Sequence, residues 1–173
     1  LGDVYKRQHV ARGVRNTVGF DWHPKTNNLY FGDNGRDWMG DDMPACELNV
    51  VNENDSFYGY PYKHAMNVPD PEYSKKIPND MEEFIDPILE LGAHVAPTGL
   101  SFYDGDLFPA KYKNTLFMTL HGSWNRSRKV GYKVIAVHFD EDGKLLYQKD
   151  FITGWLQKNN GQEKVLGLSL IHI

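Results

Sequence analysis

Residues 19–33 read GFDWHPKTNNLYFGD, and the fold is decided by how this stretch divides. VGFDW (18–22) and NLYFG (28–32) are strand-length runs of β-branched and aromatic residues, and HPKTNN (23–28) between them is made of turn formers. The stretch therefore predicts an antiparallel hairpin. Working outward, the same kind of run recurs as ELNVV (47–51), GLSFY (99–103), TLFMTL (115–120), YKVIAVHF (132–139) and LLYQKDFI (145–152). DEDG (140–143) joins the last two as a second within-sheet hairpin, because Asp-Gly favours the positive φ of a tight turn. The chain around 19–33 and the chain around 99–121 share a plan, a strand pair that ends in a polar loop containing Gly and Asn. Repetition of this kind predicts an all-β fold with polar loops collected on one face, as in propeller blades. A β-sandwich satisfies the same pattern.

Helical periodicity is scarce. The best candidate, residues 80–91, is interrupted by Pro87 and is reduced to a short turn of helix or a loop. The proline-rich, polar stretch 60–87 is too irregular for sheet and too long for a hairpin loop, which predicts a lid or site wall.

Bulk properties set limits on partners. The chain has 173 residues, 40% of them apolar, enough for one globular core. Its net charge of −4 offers no electrostatic reason to bind nucleic acid or an anionic membrane, and a small neutral substrate fits better. No run of about 18 apolar residues is present to span a bilayer. The single cysteine, Cys46, excludes an internal disulfide framework and reads as a small buried hydrophobe. LGDVYKRQ (1–8) and LSLIHI (168–173) look like translated sequencing-adapter read-through, so residues 9–167 are expected to be the native part of a truncated reading frame.

Polar residues concentrate in segments that precede or follow strands. Arg15-Asn16 pairs a guanidinium able to grip a carboxylate bidentately with an amide that both donates and accepts; standing alone, it reads as a surface pair. The loop holding Asp33, Asp37, Asp41 and Asp42, followed by Glu47, offers the carboxylates and backbone carbonyls a hard cation needs. Its spacing does not match an EF-hand, and a solvated acidic loop has the same composition. His94, in GAHVAPTG (92–99), can present an imidazole at a loop face or serve as a structural histidine. His121, Trp124, Asn125 and Arg126, within HGSWNR (121–126), form a dense polar and aromatic cluster suited to an aromatic anion. The chain carries no Ser-His-Asp order, nucleotide-binding glycine loop or Cys-x-x-Cys.

With these segments in order, the sequence resembles the soluble PQQ-dependent glucose/sorbosone dehydrogenases, of the L-sorbosone dehydrogenase type. The matching text is GVRNTVGFDWHP (13–24), LYFGDNGRDWMGDDMPACELN (29–49), FYGYPY (57–62), LGAHVAPTGLSFY (91–103) and LHGSWNRSRKVGYKV (120–134). The resemblance implies part of a six-bladed β-propeller, about two to three blades, whose parent oxidises a sugar by hydride transfer to PQQ and passes electrons to an acceptor. It implies that Arg15, Asn16, His94, His121, Trp124, Asn125 and Arg126 border PQQ. It also implies that the backbone carbonyls of Gly35 and Arg36 hold its Ca2+, with Arg36 standing where better-known relatives have proline. A second, structural calcium maps onto Asp42, Glu47 and Tyr58. The family's catalytic histidine lies upstream of Arg15 and its last arginine motif downstream of Gly154-Trp155, so no catalytic residue is assigned. Periplasmic or secreted localisation is implied for the parent. Two readings from other classes stay open, a non-catalytic ligand-binding propeller and a calcium-dependent sugar-lactone hydrolase.

Overall fold

The computed structural model describes residues 8–79, 81, 83–159 and 161–166, so the two terminal segments read as adapter-derived lie, but for Gln8, outside the described residues. The chain is all-β, with two four-stranded antiparallel sheets. Thr17–Trp22, Leu29–Asp33, Ala45–Val51 and Leu89–Ala93 form the first sheet in that spatial order. Pro97–Phe102, Leu116–Leu120, Lys133–Phe139 and Leu145–Ile152 form the second. All seven runs predicted as strands are strands, and the two segments that look alike in sequence are the opening strand pairs of the two sheets. Both hairpins form as expected. His23 N–H donates to the Asn28 carbonyl at 2.9 Å, and Asp140 N–H to that of Lys144 at 3.0 Å.

The sheets pack through a shared core. Tyr30, Leu48 and Val50 of the first meet Phe102, Leu116, Met118, Ile135 and Val137 of the second, all buried. Burying such side chains stabilises by about 1.5–3 kcal/mol each. Polar contacts fix the alignment, with Tyr30 Oη donating to the Gly143 carbonyl at 2.9 Å and Phe102 N–H to Asp21 Oδ2 at 2.7 Å. Thr17–Trp22 therefore runs beside Pro97–Phe102 in the same direction.

None of the described residues among 80–91 is helical. Leu89–Ala93 is the outer strand of the first sheet, pairing with Ala45–Leu48 across the whole intervening loop. Stretch 60–87 carries a small ladder between Lys63–His64 and Val68–Pro69 and a turn of 3₁₀-helix at Ser74–Lys76. No described helix is long and apolar enough to cross a membrane.

Candidate functional site

The sheet registers bring the chemistry to one end. Thr17 pairs with Asp33, Asp33 with Glu47, Ala45 with Ala93, and Leu120 with both Pro97 and Lys133. Residues 13–16, 34–44, 94–96 and 121–132 thus open on the same end of the two sheets. There they enclose a cleft of about 260 Å³ lined by Arg15, Asn16, Asn34, Gly35, Asp37, His94, Thr98 and Trp124, among others.

Asp33, outside the lining, anchors the chain that carries Arg15 and Asn16 into this cleft. Its buried carboxylate accepts the backbone N–H groups of Arg15 at 2.9 Å and Asn16 at 2.6 Å, which fixes the chain entering the first strand. Burial pushes the Asp33 carboxyl above its ordinary range, and those amide bonds work against the shift without cancelling it. The Arg15 side chain then reaches into a cradle of oxygens, donating from Nη1 to the carbonyls of Asn34 (3.2 Å) and Gly35 (2.9 Å) and from Nη2 to Asp37 Oδ2 (3.3 Å). Gly35 is required for this approach, because a Cβ there would stand 2.9 Å from the Ala45 carbonyl oxygen. His94 closes the opposite side, with Nε2 2.7 Å from the Gly40 carbonyl oxygen. A carbonyl only accepts, so Nε2 carries the hydrogen of that bond, and Nδ1 lies 3.9 Å from Asp37 Oδ1.

A larger cleft, of about 660 Å³, lies elsewhere, between residues 53–57 and the far part of the long loop at Pro78, Met81 and Ile85. Described residues of stretch 60–87 therefore wall that cleft, and none of them is in the lining of the smaller one.

The TrAA12-like family profile matches residues 4–157. The chain belongs to the TrAA12-like family. An uncharacterized protein of Borreliella burgdorferi is 44% identical over 158 residues, which are 91% of this chain and 41% of that protein. Among solved structures, the calcium structure of Trichoderma reesei Carbohydrate-Active Enzymes Family AA12 aligns with a TM-score of 0.63 at 23% identity, over 83% of this chain and 42% of that one. The holo form of the pyranose dehydrogenase PQQ domain from Coprinopsis cinerea aligns with a TM-score of 0.60 at 21% identity, over 90% and 46%. This TrAA12-like chain shares their fold and spans less than half the length of each.

The remaining predicted residues of the TrAA12-like chain lie apart from the cleft lining. Arg36 turns away, and its guanidinium pairs with the buried Asp70, which also receives His64 Nε2 at 2.8 Å. Burial acts to raise the Asp70 carboxyl, but hydrogen bonds from Arg36, His64 and two backbone amides outweigh it and hold it well below the usual range. The side chain of Arg36 thus clamps the long loop onto the 34–44 loop. His121 is exposed and meets the site only through its backbone N–H, which donates to the Ala96 carbonyl at 2.9 Å. Asn125 is half-buried outside the lining. Arg126 reaches across to the first sheet's loop, donating to the Asp41 carbonyl and to Asp42 Oδ1 at 2.8 Å.

The three residues expected at a structural calcium are separated by their partners. Asp42 is exposed beside Arg126. Glu47 is buried and accepts from Ala65 N–H at 2.7 Å and Asn49 Nδ2 at 3.0 Å. The Tyr58 hydroxyl donates to the Val50 carbonyl at 2.8 Å inside an apolar cluster with Phe31, and burial pushes it up to about 12. Among the described residues, no three His, Cys, Asp or Glu side chains group as a metal site.

The cleft residues fit a planar polyacid. Three of the five Arg15 N–H groups are spent on the cradle, two are left for a ligand carboxylate, and the exposed indole of Trp124 offers a stacking face. A hard cation is matched in kind by the Gly35 carbonyl, whose second lone pair stays available beside the one Arg15 uses. The sequence groups Asn34 and Asp37 with Arg15 without pairing any of them, and it does not single out Thr98. Composition marks Asp37 only as one acid of several in its loop.

Proposed function

We propose that the cleft is the cofactor-facing part of a PQQ- and Ca2+-dependent sugar oxidoreductase, in a six-bladed propeller of which the two sheets are blades. The observation that carries the reading is that Arg15, Asn16, Gly35, His94 and Trp124, drawn from four separate segments, line one cleft. The quinone, when bound, supplies a two-electron acceptor, and calcium polarises its carbonyl. The chain's own residues bind and orient. Arg15 holds a carboxylate, Asn16 offers an amide to a second acid or carbonyl group, and the backbone at Gly35 and Arg36 presents carbonyls to the cation. The Arg36–Asp70 clamp fixes that backbone, while Arg126 and His94 tie the 34–44 loop to the second sheet. An aldose of the sorbosone or glucose kind is the proposed substrate, a separate electron acceptor the partner, and the periplasm or cell exterior the location.

The hydrolase alternative needs a free carboxylate in the cleft. Among the described residues, Asp37 is the one carboxylate in its lining, and it is engaged by Arg15. The test is a fluorescence titration of PQQ into the chain with Ca2+ and after chelation, for wild type and Arg15→Ala. Binding should require Ca2+ and weaken about 10- to 100-fold in the variant, the worth of one hydrogen bond to a charged group. Equal affinity with and without Ca2+, or in both proteins, would overturn the reading.

A further inference from the structure

Two tryptophans at the mouth of the cleft are not used by the fold. Trp38, on the 34–44 loop, is 79% exposed, and Trp124, on the 121–132 loop, is 71% exposed. Their ring centroids lie 5.9 Å apart with planes at 82°, so indoles from loops of two different sheets form a right-angled corner. Trp38 also sits in the left-handed backbone region at φ 66°, where a bulky side chain is disfavoured unless its surroundings impose it. The fold thus holds an indole outward in a strained conformation, where burial returns nothing. Exposed apolar surface held at a rigid position marks a contact surface.

The surroundings define what the corner contacts. Beside it Arg15 pairs with Asp37, Arg126 pairs with Asp42, and the Asp41 carboxylate accepts the Ser127 N–H, so the mouth presents hydrogen-bonding groups whose charges are already engaged. Asn16, Asp37 and Thr98 line the cleft with Trp124, whereas Trp38 stands outside that lining. A ligand that suits this geometry is neutral and compact, with an apolar face for an indole and hydroxyls around its rim. A pyranose ring has those properties, since its axial C–H groups form the apolar face and its equatorial hydroxyls the rim. A polyanionic aromatic ligand suits the cleft beneath, against Arg15, but not Trp38.

We infer that Trp38 and Trp124 form a carbohydrate subsite, in which a pyranose stacks on one indole and abuts the other while its hydroxyls turn toward Asp37 and Asn16. The choice of ligand class rests on the oxidoreductase reading, but the site itself does not require the cofactor. The experiment is therefore done without it. Indole Nε1–H resonances of the chain are assigned by Trp38→Phe and Trp124→Phe and followed during titration with glucose and with cellobiose up to their solubility limits. The Trp38 and Trp124 signals should shift together along one saturable curve while those of Trp22 and Trp155 stay in place. Trp38→Ala and Trp124→Ala should each weaken the apparent affinity at least tenfold, with an unchanged far-ultraviolet circular dichroism spectrum. In a parallel titration, Trp38→Ala should leave PQQ binding as in wild type. Saccharide shifts absent from both indoles, or affinity retained in the double alanine variant, would overturn the subsite. Loss of PQQ binding in every protein with the saccharide shifts intact would instead sink the cofactor reading and leave the subsite standing.

Discussion

His23 occupies the turn that the opening stretch of sequence predicts, and its ring is almost wholly buried. Nδ1 accepts the N–H groups of Lys25 at 3.3 Å and Thr26 at 3.1 Å, and the ring packs edge-on against Phe102 at a centroid distance of 4.9 Å. Protonation at Nδ1 would cancel both turn bonds. Burial first, and Lys25 second, accordingly lower the His23 pKa below its ordinary value, and His138 is lowered in the same way by burial and then Lys149. A histidine lowered in the folded state binds fewer protons there than in the unfolded chain. Stability is therefore full above the unfolded value of about 6.5 and is lost as pH falls below it, by at most about 1.4 kcal/mol per pH unit for each group. His23→Asn keeps a turn-capping acceptor and removes the titration. Denaturant unfolding should show the variant about 1–3 kcal/mol less stable at pH 8, from lost packing, with a shallower acid slope between pH 6.5 and 5. An unchanged slope would show that His23 does not set it.

At the level of elements, the join between the sheets depends on two adjacent strands, and Gly19 marks their closest approach. A Cβ at Gly19 would stand 2.9 Å from the Thr98 carbonyl oxygen and 3.1 Å from Leu100 N, both backbone atoms that cannot swing aside. Gly19→Ala should therefore cost about 1–3 kcal/mol, as overpacking does, lowering the thermal midpoint of the chain. A midpoint within experimental error of wild type would mean that the strands separate freely. The same pair shows what was legible in the sequence. VGFDW and GLSFY declared themselves because alternation and turn residues are local signals. Leu89–Ala93 did not, since its partner is Ala45–Leu48 on the far side of a long loop and only that pairing makes it a strand. The candidate site divides along the same line. Arg15, His94 and Trp124 are legible as residue types at strand ends, and Gly35 through the family resemblance. The withdrawal of Arg36 to Asp70 and of Arg126 to Asp42 was not visible, because it depends on acids placed by distant loops.

For the whole molecule, the proposed activity calls for more surface than two sheets provide. In the cleft Asp37 is engaged by Arg15, and His94 is held between the Gly40 carbonyl at Nε2 and Asp37 at Nδ1, so neither stands free as a general base. Val18, Phe20 and Trp22, alternating along the first strand, keep about half their surface exposed. Supplied with PQQ and Ca2+, the 173-residue chain should oxidise aldoses at least about a hundredfold more slowly than the Coprinopsis cinerea pyranose dehydrogenase PQQ domain, the usual loss without a base. Turnover within about tenfold in a dye-linked assay would require a base in this chain that the geometry does not show. The long excursion between Ala45–Val51 and Leu89–Ala93 carries a consequence for time rather than for equilibrium. Every pairing in the second sheet joins strands consecutive in sequence, whereas the first sheet closes only after that excursion has been reeled in. Closing a longer loop costs more entropy before any contact repays it. In pulsed hydrogen exchange during refolding, amides of Leu116–Leu120 and Lys133–Phe139 should become protected before those of Leu89–Ala93, so that the sheet bearing Trp124 is in place while the wall bearing Arg15 is still assembling.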